Sequence, residues 1–148
     1  EVAADLVARA LDSLVAASDG RPRAAVFGGE TTVAVTVAYP GCGGRNLDLA
    51  ARTALALQGR DGMVVAVAGT DGADGSSRAA GALVDGGTAA RARRAGRPLA
   101  DALAAFDTEP ALEAAGDLLV TGPTGTNVGD LVVAVARRPG SAVVRGIP

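Results

Sequence analysis

The first apolar pattern in the chain has the period of a helix. Within residues 2–17, apolar side chains recur at positions i, i+3, i+4, i+7 and i+8, which places them on one helical face. These residues are Val7, Ala10, Leu11, Leu14 and Val15. The run Ser18-Asp19-Gly20-Arg21-Pro22 then has the composition of a turn. The pattern therefore predicts an amphipathic helix over residues 2–17 that ends at this turn.

A second kind of segment is short, apolar and rich in Val, which is typical of β-strands. Segments of this kind cover residues 24–28, 32–39, 63–68, 118–120 and 131–136. The first two flank a glycine turn at Glu30, so we expect them to pair as a hairpin with Val33, Val35 and Val37 on one face. The third is apolar throughout, as in a strand that is buried on both faces.

Helical patterns return between these strands. One helix is expected to start at Asn46, whose side chain suits an N-cap. Further helices are expected over residues 88–95, 98–106 and 110–115. The apolar face of the helix at Asn46 comprises Leu47, Ala50, Ala51, Ala54 and Leu55.

Because strands and helices interleave along the chain, the sequence favours an α/β fold. We expect a three-layer sandwich, in which a mixed, largely parallel sheet carries helices on both faces. Ligands of such sheets bind at the carboxyl ends of the strands. Two polar, glycine-rich loops, residues 69–75 and 121–127, directly follow apolar strands. Both loops are therefore expected at that edge.

The composition fits one domain whose core is built from small side chains. The chain has 148 residues, of which 49% are hydrophobic but only 2% aromatic. A net charge of −2, from 14 basic and 16 acidic residues, argues against nucleic acid as a partner. No segment reaches the length of a transmembrane helix, and the single cysteine suits a reducing compartment. We therefore expect a cytoplasmic protein without a membrane partner.

Two residue types are missing, and their absence restricts the chemistry. The chain contains no His, and all of its basic residues are Arg, so it has no Lys. Catalysis by His, a Schiff-base lysine and a P-loop lysine are therefore excluded within this chain. Any catalytic base must be Asp or Glu, and any cationic clamp must be Arg. Without a partner base, Cys42 is interpreted as a small loop residue.

The loop over residues 121–127, Thr-Gly-Pro-Thr-Gly-Thr-Asn, is the strongest candidate for a binding site. Its glycines let backbone N–H groups approach a phosphate or carboxylate, and its hydroxyls add donors. Asn127 or Asp130 can then bind a hydroxyl or hold a metal-bound water. The alternative is a tight turn in which Thr and Asn bond to their own backbone.

Three further features carry weaker signals. In the loop over residues 69–75, Asp71 and Asp74 are oxygen ligands suited to Mg²⁺, or Asp74 instead caps a following helix. Glu30 stands at a glycine turn, where it either takes part in the site or is simply solvated. Arg45 stands at a predicted helix N-terminus, where a shared anion would relieve its unfavourable position relative to the helix dipole. The alternative for Arg45 is an exposed arginine.

Five motifs together resemble one family. They are G-G-E-T-T-V, G-G-R-N-x-x-L-A, A-G-T-D-G-x-D-G, A-G-A-x-V-D-G-x-T and V-T-G-P-T-G-T-N-V-x-D-L, and they occur in this order. The chain resembles the C-terminal, MOFRL-type domain of the glycerate 2-kinases, which are also labelled hydroxypyruvate reductases. The resemblance runs from about Ala24 to Ala136, and its last motif is long and specific.

The resemblance implies a two-domain kinase, of which residues 1–148 are the C-terminal domain. Such a kinase transfers the γ-phosphate of ATP to the 2-hydroxyl of D-glycerate with Mg²⁺, in a cleft between its domains. The N-terminal kinase domain, absent from this chain, would be its partner and would supply the Lys that phosphoryl transfer commonly uses. Alone, this domain is expected to be inactive, and a homo-oligomer is compatible with the resemblance.

The resemblance also assigns roles to residues of the motifs. Arg45 would clamp a phosphate or the substrate carboxylate, Glu30 would orient neighbours or act as a base, and Asp71 would position the acceptor hydroxyl. Asp71 and Asp74 would hold Mg²⁺. The expected substrate- and phosphate-binding residues are Asn46, Thr70, Thr124, Thr126, Asn127 and Asp130.

Some positions depart from the family pattern. Leu47 and Asp48 stand where Gln and Glu are usual, and Gly129 replaces an Asn. The run Phe106-Asp107-Thr108 keeps only the Asp and a hydroxyl of an Asn-Asp-Ser/Thr motif. These departures leave the acceptor open.

Two other functions remain alternatives. One is a free-standing binding module for a small anionic metabolite. The other is a hydroxypyruvate or tartronate reductase, as in the older family label. The reductase would need a nicotinamide site, and the sequence has no G-x-G-x-x-G fingerprint after a strand.

Overall fold

The structure is a computed structural model that describes residues 2–38 and 41–137. Its helices are α1 (Val2–Ala16), α2 (Arg45–Ala56), α3 (Thr88–Arg94), α4 (Leu99–Ala105) and α5 (Thr108–Ala115). Its strands are β1 (Arg23–Gly29), β2 (Met63–Gly69), β3 (Gly81–Asp85), β4 (Leu118–Leu119) and β5 (Asp130–Ala136). Within these described ranges, no helix is both long and apolar enough to cross a membrane.

The sheet is antiparallel throughout, so the prediction of a largely parallel sheet is wrong. Its strand order is β1-β5-β2-β3-β4, and every neighbouring pair runs antiparallel. The last strand of the chain, β5, lies between β1 and β2, and β3 lies between β2 and β4. Each pair of strands that run in the same direction is thus separated by an antiparallel strand.

Two local errors led to that prediction. The strand β3 was missed, because its five residues lie between glycines and show no clear alternation. The expected hairpin is also wrong, since residues 31–38 form no strand and all seven residues of β1 pair with β5 instead. Tyr39, the end of the expected second strand, lies outside the described residues.

Helices cover one face of the sheet among the described residues, rather than both. Along β2 and β5, buried and more exposed residues alternate. Helix α1 packs on β1 and β5, and α2 packs on β2 and β3. On the opposite face the exposed fractions are 64% at Val26, 38% at Val64, 50% at Leu83 and 40% at Leu131. The expected third layer and the double burial of residues 63–68 are therefore wrong for this part of the chain.

The predicted helical faces are largely confirmed. In α1, Val7 and Leu11 are buried in the core, while Leu14 and Val15 pack against it. In α2, the fully buried face consists of Leu47, Ala50, Ala51 and Ala54. Only Leu55 departs, because it is 36% exposed. The small residues of α2 bring the helix close to the sheet, as the composition predicts.

All of the candidate loops lie at one edge of the sheet, the edge formed by the ends of the strands. Because β1, β2 and β4 run in the same direction, their carboxyl ends meet at this edge. Register confirms the convergence, since Asp130 pairs with both Gly29 and Gly69, and Gly81 pairs with Leu119. The predicted position of the two glycine-rich loops is thus correct, although the parallel sheet from which it was argued is not.

Candidate functional site

An arginine–aspartate pair lies at the centre of this edge. Arg45, the first residue of α2, donates from Nε and Nη2 to the two carboxylate oxygens of Asp130, both at 2.8 Å. Asp130 is the first residue of β5 and is 5% exposed. Its hydrogen bonds further raise the pKa of Arg45. Burial opposes the charged form of Asp130, but the bonds from Arg45 and Asn46 outweigh it and lower the pKa of that carboxyl.

The end of β1 joins this pair. The backbone N–H of Thr31 donates to Oδ2 of Asp130 at 3.2 Å. The carboxylate of Glu30 lies 3.9 Å from Nη2 of Arg45, and its side chain is 74% exposed. Arg45 therefore faces one buried and one exposed carboxylate, which together more than balance its charge.

Asp74 is buried beneath the pair and caps helix α2. It is 1% exposed, and its oxygens accept the backbone N–H groups of Asn46 at 3.0 Å and Leu47 at 2.8 Å. Burial raises the pKa of Asp74, although these hydrogen bonds oppose the rise. The prediction of Asn46 as N-cap is wrong, because the helix begins one residue earlier and the N-cap position is Gly44. A remote carboxylate supplies the acceptors that an N-cap side chain usually provides.

Asn46 links the two buried carboxylates. Its amide nitrogen donates to Asp74 at 3.2 Å and to Asp130 at 3.0 Å, and the residue is fully buried. Within the described residues, three side-chain oxygens are buried without a hydrogen-bond partner: Oδ1 of Asn46, Oγ1 of Thr31 and, further along α2, Oγ1 of Thr53. Two of the three therefore lie beside the arginine–aspartate pair.

Thr70, at the end of β2, ties the two glycine-rich loops together. Its hydroxyl donates to the carbonyl of Gly129 at 2.7 Å and accepts the N–H of Val128 at 2.9 Å. The hydroxyl of Thr124 donates to the carbonyl of Thr70, and its N–H donates to the carbonyl of Asp71 at 3.3 Å. The two loops therefore form one unit beside the arginine–aspartate pair.

Several side chains of this unit bond to nearby backbone. Oδ1 of Asp71 accepts the N–H of Ala73 at 3.2 Å, and Oδ1 of Asn127 accepts that of Gly129 at 3.3 Å. Thr124 bonds within its own turn to Thr126. These contacts match the tight-turn alternative, so the anion-binding roles of Thr124, Thr126 and Asn127 stay predictions.

The loops approach each other so closely that a side chain does not fit between them. A Cβ atom at Gly72, whose φ is 89°, would lie 2.0 Å from the carbonyl oxygen of Gly122. Gly122 and Gly125 also have positive φ angles, of 67° and 77°. The glycines of these motifs are thus required by the shape of the loops themselves.

A depression of about 390 Å³ lies beside Arg45 and Glu30. It continues into a smaller, mostly apolar cavity of about 190 Å³, with which it shares Val33, Val35, Gly43 and Gly44 as lining residues. Phe106 lines the inner cavity. It caps α4 in the left-handed conformation, with φ 52° and ψ 42°. For a side chain with a Cβ that conformation costs about 1–2 kcal/mol. This cavity was missed, because nothing in the sequence relates Phe106 to residues 33–44.

Cys42 lies nearby but is held as a thiol. Its Sγ donates to Oε2 of Glu109 at 2.8 Å, and Glu109 is 7% exposed. This hydrogen bond and burial raise the pKa of Cys42. The geometry agrees with its interpretation as a small loop residue.

Four of the five motifs lie at this edge, and the fourth motif in the chain, residues 80–88, starts there at Gly81 and follows β3 away from it. Residues 23–130, most of the chain, match the MOFRL family. The chain belongs to the MOFRL family. Over 113 residues it is 48% identical to the D-glycerate 2-kinase of Thermotoga maritima, covering 76% of this chain and 27% of that protein. Over 110 residues it is 44% identical to a putative hydroxypyruvate reductase of Agrobacterium vitis, covering 74% of this chain and 25% of that protein.

A solved structure shares the fold of this MOFRL chain. The crystal structure of a glycerate kinase from Thermotoga maritima matches with a TM-score of 0.82 and 41% identity, over 90% of this chain and 32% of that one. This chain thus spans about a quarter of the length of the curated relatives that it matches. The similarity to glycerate kinases predicted from the motifs is confirmed.

Proposed function

We propose that this chain is the C-terminal domain of a D-glycerate 2-kinase and forms one wall of its active site. The parent protein would transfer the γ-phosphate of ATP to the 2-hydroxyl of D-glycerate. The observation that carries the proposal is the position of Arg45. Asp130 holds it bidentately at the edge where four of the five family motifs meet and where the remaining one begins. The similarity of the chain to the D-glycerate 2-kinase of Thermotoga maritima supports the choice of reaction.

Arg45 would bind a phosphate or the glycerate carboxylate with the part of its guanidinium that does not bond to Asp130. Asp130, one of the expected substrate-binding residues, accepts two hydrogen bonds from Arg45, is 5% exposed and would fix the orientation of Arg45. An arginine that is oriented before the ligand arrives loses less side-chain entropy on binding. Glu30, which is exposed beside it, would orient neighbouring groups or accept the proton of the attacking hydroxyl.

Magnesium is the cofactor that this reaction implies, and Asp71 fits it better than Asp74. Both carboxylate oxygens of Asp74 already accept hydrogen bonds. Asp71 is partly exposed, and among the described residues only Oδ1 of its carboxylate accepts a hydrogen bond. No cluster of three or more acidic, His or Cys side chains suited to a metal occurs in the described ranges. In many phosphoryl-transfer sites Mg²⁺ is bound by one or two carboxylates together with substrate phosphates. The bound ion would neutralise charge on the transferred phosphate.

The charge of the site indicates that another part of the protein completes it. The carboxylates of Asp130 and Glu30 more than balance the charge of Arg45, and the chain contains no Lys. A site for ATP and glycerate needs additional positive charge, because both are anions. We infer that the remaining three quarters of the protein supply it across an interdomain cleft. The buried, unpartnered oxygens of Thr31 and Asn46 in the described residues also suit an incomplete site.

The proposal is tested with the full-length protein that contains this chain. ATP-dependent formation of 2-phosphoglycerate from D-glycerate is expected. Oxidation of NADH by hydroxypyruvate without ATP would favour the reductase instead. Tight calorimetric binding of D-glycerate or another small carboxylate to this chain alone, without any turnover by the full-length protein, would favour a free-standing binding module.

A further inference from the structure

The starting point is the backbone of Phe106. Among the described residues it is the only one other than glycine with a positive φ. Helix α5 ends in the same left-handed conformation at Gly116, where the residue has no Cβ and no strain arises. The chain therefore keeps an aromatic ring at a position that the backbone alone would give to glycine or asparagine. Strain of this kind is found where the side chain is needed.

Phe106 lines the inner cavity together with Val33 and Val35. The chain has few aromatic residues, with two Phe, one Tyr and no Trp, so an aromatic cavity wall is a rare feature here. The hydroxyl of Ser76 stands at the same cavity and is fixed by bonds to the backbone of Gly43, at 3.2 and 3.1 Å. Asp48 and Thr108 line it as well, so the cavity combines apolar walls with a few polar side chains, as small-molecule pockets do.

The cavity opens into the depression that contains Arg45. Val33, Val35, Gly43 and Gly44 line both, so the two form one continuous trough. One end of this trough contains the guanidinium of Arg45 beside the carboxylate of Glu30, and the other end is apolar and aromatic. A matching ligand carries an anionic group at one end and a planar, weakly polar ring at the other.

We propose that the inner cavity binds the purine base of ATP, with the phosphates directed towards Arg45. This inference rests on the proposed kinase function. Of the two substrates of that reaction only ATP has both an anionic end and an aromatic ring, because every carbon of glycerate carries oxygen. The base would pack against the ring of Phe106 and between the side chains of Val33 and Val35. Stacking of this kind adds affinity for any base that presents its flat face.

Substitution of Phe106 by asparagine tests this site in the full-length protein. Asparagine tolerates the left-handed conformation, so Phe106→Asn removes the ring while relieving the backbone strain. The KM for ATP and the dissociation constant of ADP are expected to rise about tenfold, the size of one lost base–aromatic contact. The KM for D-glycerate and the affinity for tripolyphosphate, which has no base, are expected to stay within twofold. Phe27→Leu, which removes the other phenylalanine ring away from the trough, is the matched control and is expected to change neither.

Calorimetric binding of ADP decides the inference independently of turnover. Equal ADP affinity in the Phe106→Asn variant and the parent protein would overturn it, whether or not the protein is a kinase. So would a rise in the KM for D-glycerate without one for ATP, because the cavity would then hold the acceptor. If the parent protein binds ADP through Phe106 but phosphorylates no glycerate, the base site stands and the proposed reaction fails.

Discussion

Replacement of Asp74 by alanine is expected to destabilise the domain strongly. Asp74 is 1% exposed and accepts three hydrogen bonds, from the backbone N–H groups of Asn46 and Leu47 and from the Asn46 amide. Its removal leaves three buried donors at the start of α2 without an acceptor. A lost N-cap costs about 1 kcal/mol, and each buried unsatisfied donor costs about 1–3 kcal/mol.

These costs do not add in full, because removal of Asp74 also removes a buried charge. The raised pKa of Asp74 shows that its hydrogen bonds do not fully compensate for burial of that charge. We therefore expect a net loss of about 3 kcal/mol in the free energy of unfolding. For a chain of this size, such a loss lowers the melting temperature by roughly 10 °C.

The assay is urea unfolding of the chain followed by circular dichroism, with Asp71→Ala as the control. Asp71 lies in the same loop but is partly exposed, and its side chain accepts a hydrogen bond from the N–H of Ala73. Its replacement is expected to cost about 0.5 kcal/mol. Equal stabilities of the two variants would refute the assignment of Asp74 as the cap of α2.

Three further predictions concern the same edge of the sheet. In the full-length protein, Arg45→Ala is expected to reduce glycerate kinase activity by orders of magnitude. The control is Arg91→Ala at the opposite edge, where Nη2 of Arg91 contacts both carboxylate oxygens of Asp117 at 2.8 Å. This variant is expected to lose a similar amount of stability but to retain activity. Equal activities of the two variants would remove Arg45 from the site. Because the folded-state pKa of Asp130 is lowered, its stabilising contribution is present above about pH 4 and is lost as the pH falls through the folded pKa. Urea midpoints from pH 7 to 3 should therefore fall less for Asp130→Asn than for the parent, and parallel curves would contradict this. Gly72→Ala is expected to unfold at a clearly lower urea concentration than Gly59→Ala. Both positions have a positive φ, but only at Gly72 would a Cβ atom meet the backbone of the facing loop. Similar midpoints would count against tight packing of the loops.

The sequence predicted those parts of the fold that depend on local pattern. The predicted apolar faces of α1, with Val7 and Leu11, and of α2, with its alanines, are buried in the core. Helical spacing places such residues on one side of a helix. Strands β1, β2 and β5 also lie where short apolar runs indicate them.

Pairing between distant strands was not predictable in the same way. The apolar run at residues 63–68 was interpreted as buried on both faces, yet Val64 is 38% exposed on the open face. Alternation between Val and Ala hides the period, because both residue types are apolar. The short β3, which lies between β2 and β4, has no pattern strong enough to reveal it.

For the candidate site, too, the residues were predicted from local motifs but the contacts between them were not. The family motifs identified Arg45, Asp74 and Asp130, and the structure brings all three to one edge. Their connections were not predicted, because Arg45 and Asp130 are 85 residues apart and Asp74 reaches α2 from another loop. Hydrogen bonds between segments that are distant in the chain produce no recognisable pattern in the sequence, whereas a motif is a pattern that can be found directly.

The most direct test of the central claim compares ATP-dependent phosphorylation of D-glycerate by the full-length protein and by this chain at equal concentration. We expect 2-phosphoglycerate to form only with the full-length protein, because the edge around Arg45 is one wall of a site that needs the rest of the protein. Comparable turnover by this chain alone, or no phosphorylation of D-glycerate by the full-length protein, would contradict the account.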